Sequence, residues 1–148
     1  MIWKPDVTVA AIIEADGRFL LVEERTREGV KLNQPAGHLE PHESLIEGAV
    51  REALEETAYD FVPEHLIGIY RWSKTDGKVT YLRFAFAGKL GERHAKRRLD
   101  TGIVRAVWLT IDEIHASQQR HRSPLVLRCV DDYLRGRRFP LDLLVHCD

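Results

Sequence analysis

Glu52, Glu55 and Glu56 stand at i, i+3 and i+4, so a helix would bring their carboxylates within one turn of each other. At ~4 Å and an effective dielectric of ~20, each such pair of like charges costs on the order of 4 kcal/mol. The few tenths of a kcal/mol available from helix propensity cannot offset that. A cation is therefore expected among them. Oxygen ligands on a rigid element suit a hard divalent ion, Mg²⁺ or Mn²⁺, and no Cys or His pair with zinc-like spacing competes for the role.

The flanking residues say how that face is held. Ser44 followed three residues later by Glu47 is a capping box, and Leu45, Ile46, Ala49, Val50, Ala53 and Leu54 supply an apolar side, which predicts a helix over about 45–57. Arg51 lies one turn after Glu47 and two turns after Glu43, placed to pair with acids not needed for metal.

Gly37, Glu43, Arg51-Glu52-Ala53, Glu55-Glu56 and Ala58-Tyr59 stand in one register that resembles the Nudix box. Ala58 stands where that family has glycine, and Tyr59 where it usually has an aliphatic residue. A left-handed helix cap at Ala58 would be slightly strained, since a Cβ there costs roughly 1 kcal/mol. Beyond the box, Asn33-Gln34-Pro35-Ala36-Gly37-His38-Leu39-Glu40, Leu82-Arg83-Phe84, Arg122-Ser123-Pro124-Leu125-Val126 and Gly136-Arg137-Arg138-Phe139-Pro140-Leu141 are similar to the NudJ-type phosphatases of that family.

The chain has 148 residues, 44% of them hydrophobic, which suits one domain over 1–148 with a real core. A net charge of −1 argues against a dedicated binder of nucleic acid or anionic membrane. No apolar run approaches a membrane span and no signal-peptide core is visible, so a cytosolic location is expected. Cys129 and Cys147 are widely separated and lack metal spacing; they read as two thiols.

Val7 to Glu14 and Phe19 to Glu24 are strand-like runs joined by Ala15-Asp16-Gly17-Arg18, a hairpin signal, and both are apolar on nearly every residue, as in strands covered on both faces. Leu66 to Ser73 and Val79 to Ala87 flank a second turn at Thr75-Asp76-Gly77-Lys78, and Val104 to Leu109 reads as a further strand. Thr110 and Glu113 form another capping box. Ser123-Pro124 opens a last long helix, with Val126, Val130, Tyr133 and Leu134 on one face and Gly136 past its end. The expectation is an α/β/α sandwich around a mixed, mostly buried sheet, the fold that the Nudix resemblance also implies.

Two long polar connections, Arg25 to Ala36 and Gly88 to Gly102, are candidate site loops. Asp100 lies in the second, where the resemblance implies a further acidic ligand from outside the helix; a solvated aspartate is the alternative. His94, Lys96, Arg97 and Arg98 share this loop as either polyphosphate contacts or a solvated basic surface. His38 and His42 flank the metal segment as supporting or solvated residues. Flat side chains for a ring are Trp3, Trp72, Tyr81 and Phe84, with Phe84 better suited to the core. Arg83 sits between apolar neighbours on a strand and needs an acid, such as a box glutamate, or a phosphate.

The resemblance implies that Glu52, Glu55, Glu56 and the Gly37 carbonyl hold Mg²⁺, that Glu52 or Glu56 takes the water proton, and that Arg51 and Glu43 orient the cluster. Asn33 and Gln34 join Trp72, Tyr81 and Arg83 as candidate substrate contacts. The activity it implies is Mg²⁺-dependent hydrolysis of a small phosphorylated substrate, a nucleoside di- or triphosphate or a diphosphate such as thiamine pyrophosphate, with release of orthophosphate. The alternatives are an ADP-ribose or dinucleotide pyrophosphatase and a non-catalytic nucleotide-binding module. Against the last, Glu43, Arg51, Glu52, Glu55 and Glu56 are all present.

Overall fold

The computed structural model describes residues 1–148. Eight strands and three α-helices follow in the order β1 (Asp6–Ile12), β2 (Glu14–Ala15), β3 (Arg18–Thr26), β4 (Gly29–Asn33), β5 (Ala36–His38), α1 (Leu45–Thr57), β6 (Tyr59–Ser73), β7 (Thr80–Arg93), β8 (Ile103–Thr110), α2 (Ile111–Ala116) and α3 (Leu125–Leu134). The strands fall into two sheets. One has the order β5-β1-β7-β6, parallel only between β1 and β7; in the other, β3 pairs with β2 and β4 along one edge and with β8 along the other.

Strand alternation sends side chains to two cores. Val9, Ala11, Ile13 and Leu20 pack with Phe61, Leu66 and Phe86 beneath Ala49 and Ala53 of α1. Ala10, Ile12, Phe19 and Leu21 pack with Ile67, Ala85 and Ala87 beneath Val126, Cys129 and Val130 of α3 and Ile114 of α2. Burial on both faces is thus real for these strands, and each buried Leu, Ile or Phe contributes roughly 1.5–3 kcal/mol. No helix is long and apolar enough to cross a membrane.

The first hairpin turns where expected, with Asp16 at φ 51° and Gly17 at φ 76°, the doubly left-handed geometry of a tight two-residue turn. Both capping boxes form, and α1 ends at Ala58 in the left-handed region, φ 64°. Its N–H donates to the Leu54 carbonyl at 2.9 Å, and its own carbonyl accepts from His94 N–H at 2.8 Å.

Three expectations change. The segment Arg25 to Ala36 is largely the β3–β4 hairpin, because Arg25 pairs with Val30 and Thr26 with Gly29. The connection after β7 is shorter than expected, since β6 and β7 pair from Tyr59–Arg93 to Ser73–Thr80. Pro63 masked this strand in the sequence; irregular register on both sides of it accommodates a residue that cannot donate to the ladder. Leu134 leaves the packed face of α3 and is 48% exposed at the helix end.

Candidate active site

The Ser44 cap sets the phase of α1. Gly48, Ala49, Glu52, Ala53 and Glu56 consequently share its buried side, and two carboxylates enter the interior with the small residues. Glu52 lies so close to β5 that a Cβ on Gly37 would overlap its carboxylate, which is the steric reason for glycine there. Glu56 Oε1 accepts the Ala36 N–H at 2.8 Å.

Arg51 is the hub of the outer half. Its Nε and Nη2 grip Glu43 at 2.9 and 2.7 Å, while Nη1 reaches Glu52 at 2.8 Å and Glu55 at 2.7 Å. Nη2 also donates to the His38 carbonyl at 3.0 Å. The expected pairing with Glu47 does not occur, because that carboxylate caps the Ser44 N–H instead. Nor is Arg51 kept away from the metal-candidate acids: it bridges two of them. The Glu43 carboxyl is held below its usual range by the Arg51 hydrogen bonds, which outweigh its partial burial.

The inner acids are short of positive charge. Burial pushes the Glu56 carboxyl up to about 9, against the Ala36 hydrogen bond, and Glu52 and Glu24 add to the rise. Burial raises Glu52 as well, opposed by Arg51. Asp100 is raised first by partial burial and then by Glu55, which places it beside the cluster; its N–H donates to the Glu55 carbonyl at 2.9 Å. An all-oxygen donor set, in which Glu43, Glu52 and Glu55 share one guanidinium and Glu56 has only a backbone N–H, together with a glycine that lets Glu52 lie against β5, fits a hard divalent cation.

The Asp60, Glu92 and His94 trio, which the sequence did not single out, has donor atoms within 4.8 Å of one another, a compactness the α1 acids do not reach. His94 Nε2 already pairs with Asp60 at 3.0 Å, and the trio is largely solvated. His94 therefore has a structural partner, and with Lys96, Arg97 and Arg98 it lines neither of the two main cavities.

A cavity of about 180 Å³ adjoins the acids through Ala36, Gly37 and His38. Trp72 and Tyr81, paired across β6 and β7, stack at 6.0 Å with planes 12° apart and form part of its wall. Arg83, 6% exposed, lies within it. Neither an acid nor a box glutamate meets this guanidinium: Nη1 donates to Gln34 Oε1 at 2.9 Å and Nη2 to Asn33 Oδ1 at 3.0 Å. Asn33 lines the cavity, whereas Gln34 is sealed behind it and donates to the Val126 carbonyl at 2.8 Å. Trp3 is 64% exposed and does not line this cavity, and Phe84 packs on the α1-side core.

Thr8, Glu24 and Arg122 also line the cavity and were missed as site residues. They come from β1, β3 and the segment before α3, and only the folding together of distant parts of the chain unites them. A wider cleft of about 1370 Å³ shares Trp72, Lys74, Arg122 and Ser123 with the first and carries Arg25, Arg27, Lys31 and Arg128 on its walls.

Comparison with known proteins agrees with this architecture. Residues 3–129 match the NUDIX domain. The chain is 40% identical over 142 residues to phosphatase NudJ of Escherichia coli K12, covering 96% of this chain and 92% of the relative. A NUDIX hydrolase from Nitrosomonas europaea is 56% identical and superposes with a TM-score of 0.95, covering 97% of this chain and 98% of that one. The NUDIX domain of Shewanella oneidensis NrtR, solved with ADP ribose, is 15% identical at a TM-score of 0.72, covering 91% and 90% of the two chains, a likeness of fold.

Proposed function

The chain belongs to the NUDIX family of hydrolases, and from that premise we propose that it is a Mg²⁺-dependent phosphohydrolase of nucleoside di- or triphosphates or related small diphosphates, releasing orthophosphate. One observation carries the reading. A cavity with a buried guanidinium is walled by Ala36 and Gly37, the same residues that meet Glu56 and Glu52 of a cluster in which one guanidinium serves several carboxylates.

Glu52, Glu55, Glu56 and the Gly37 carbonyl would hold the ion, with Asp100 placed to join from outside the helix. The ion would offset charge on the phosphate oxygens and lower the pKa of a water. Glu52 or Glu56 would accept the proton of the attacking water. Arg51 and Glu43 hold the outer carboxylates in place, and their bidentate pairing gives the cluster a fixed edge. Asn33 and Arg83 form the floor beneath the substrate, Gln34 holds Arg83 from behind, and Trp72 with Tyr81 offers a ring face to the organic part.

A dinucleotide or ADP-ribose pyrophosphatase is the second reading, favoured by the wide cleft that continues from Trp72 and has room for a second organic group. Hydrolysis of GTP, GDP, thiamine pyrophosphate and ADP-ribose with Mg²⁺ in ¹⁸O water, followed by phosphorus NMR, separates them. Labelled orthophosphate from GDP and thiamine pyrophosphate is expected. Pyrophosphate from GTP with no turnover of GDP, or cleavage of ADP-ribose alone, would replace the first reading.

A further inference from the structure

Arg83 is a buried cation that the protein does not neutralise. No carboxylate reaches it, and its hydrogen bonds go to the neutral side chains of Asn33 and Gln34, with the Cys129 thiol at 4.0 Å. The nearby acids are committed elsewhere: Glu24 to Arg122 at 3.0 Å and Asp132 to Arg128 and the Tyr70 hydroxyl. Burying a charge without a counter-ion costs several kcal/mol. A purely structural arginine would be cheaper as leucine or beside a glutamate.

The guanidinium is also aimed. Gln34 is locked by the Val126 carbonyl and Asn33 donates to Glu24 at 3.3 Å, so each amide presents its oxygen to Arg83 in a fixed orientation. Nε donates to nothing in the protein and yet is not sealed from solvent, in a residue that lines the cavity. In register, Tyr70, Arg83, Thr8 and His38 form one row across β6, β7, β1 and β5. Arg83 and His38 are thus two strand spacings apart, roughly 10 Å between backbones, a gap that an arginine side chain and a phosphate can bridge.

We propose that Arg83 is the seat of the substrate's terminal phosphate, a specificity-determining residue that fixes which phosphorus lies beside the α1 acids. The size of the cavity supports the terminal group. At about 180 Å³ it is below the roughly 300 Å³ at which pockets begin to enclose drug-sized ligands. A phosphate fits, and the organic part extends past Trp72 into the wide cleft. This inference rests on the reading that orthophosphate is the product.

The test is direct binding of inorganic orthophosphate with Mg²⁺, measured by calorimetry without turnover, alongside its competitive inhibition of GDP hydrolysis. Arg83→Gln should weaken orthophosphate at least about tenfold and raise KM for GDP by a similar factor. Arg83→Lys should recover part of both. Asn33→Asp keeps the arginine and hands it a carboxylate, so it too should weaken orthophosphate binding. The Mg²⁺-induced rise in melting temperature should persist in all three variants. Unchanged orthophosphate affinity in Arg83→Gln and Asn33→Asp would overturn the proposal, as would Arg83→Lys binding orthophosphate no better than Arg83→Gln. Products released by the wild-type enzyme judge the phosphatase reading separately.

Discussion

On α1, Glu43, Glu52 and Glu55 share the single guanidinium of Arg51 while Glu56 has only a backbone N–H; Arg83, one cavity away, has no carboxylate and rests on two amides. The first region has too much negative charge and the second an unanswered positive one. A fold selected for stability alone would place such charges together, since each uncompensated buried ion costs several kcal/mol. Kept apart, the two charges suit the ligand proposed above, a cation bound to a phosphate. The opposite imbalances teach more about function than either cluster does alone.

The sharpest way to break the comparison is Glu56→Gln. If the acid side supplies the chemistry, this change should cost at least about 3 kcal/mol of transition-state stabilisation, more than a hundredfold in rate, while circular dichroism shows the fold unchanged. Wild-type turnover in both Glu56→Gln and Glu55→Gln at saturating substrate would reduce the α1 face to an ion network.

Mg²⁺ should stabilise the folded chain by about 2.7 kcal/mol at a hundred times its Kd. Thermal denaturation with and without a chelator measures this. The shift should vanish in a Glu52→Gln, Glu56→Gln double variant and survive in Arg83→Gln, which assigns the cation to one region only. A shift that instead follows Asp60→Asn would move the metal to the trio on β6 and β7.

Gly37→Ala tests the contact between the regions. The added Cβ overlaps the Glu52 carboxylate, and overpacking there should destabilise the protein by about 2 kcal/mol. Activity should fall further than stability, and a variant with normal kcat would show that Glu52 can move without loss.

The smallest effect is expected at the helix end. Ala58 has φ 64°, so Ala58→Gly should stabilise the protein by up to ~1 kcal/mol in chemical denaturation, less the backbone entropy of glycine. The acid face lies on the preceding turns and should keep its activity; a large loss would mean that cap strain positions Glu55 or Asp100.

Much of the fold and half of the candidate site could be read along the chain, because they depend on local spacing. The Ser44 and Thr110 capping boxes, the left-handed Ala58 cap, the Asp16-Gly17 turn and the helical stacking of Glu52, Glu55 and Glu56 are all set by residues within a few positions of each other. Alternating burial of Val9 to Ile13 on two cores followed from an apolar run too continuous for a one-sided strand. Tertiary structure decided the pairings that no spacing reveals. How far β6 extended past Pro63 depended on β7, and which partner met Arg83 depended on residues 49 and 50 positions earlier in the chain. Charge on a side chain is written in the sequence, but its compensation is a matter of distance, and distance between remote segments exists only once the sheets have formed.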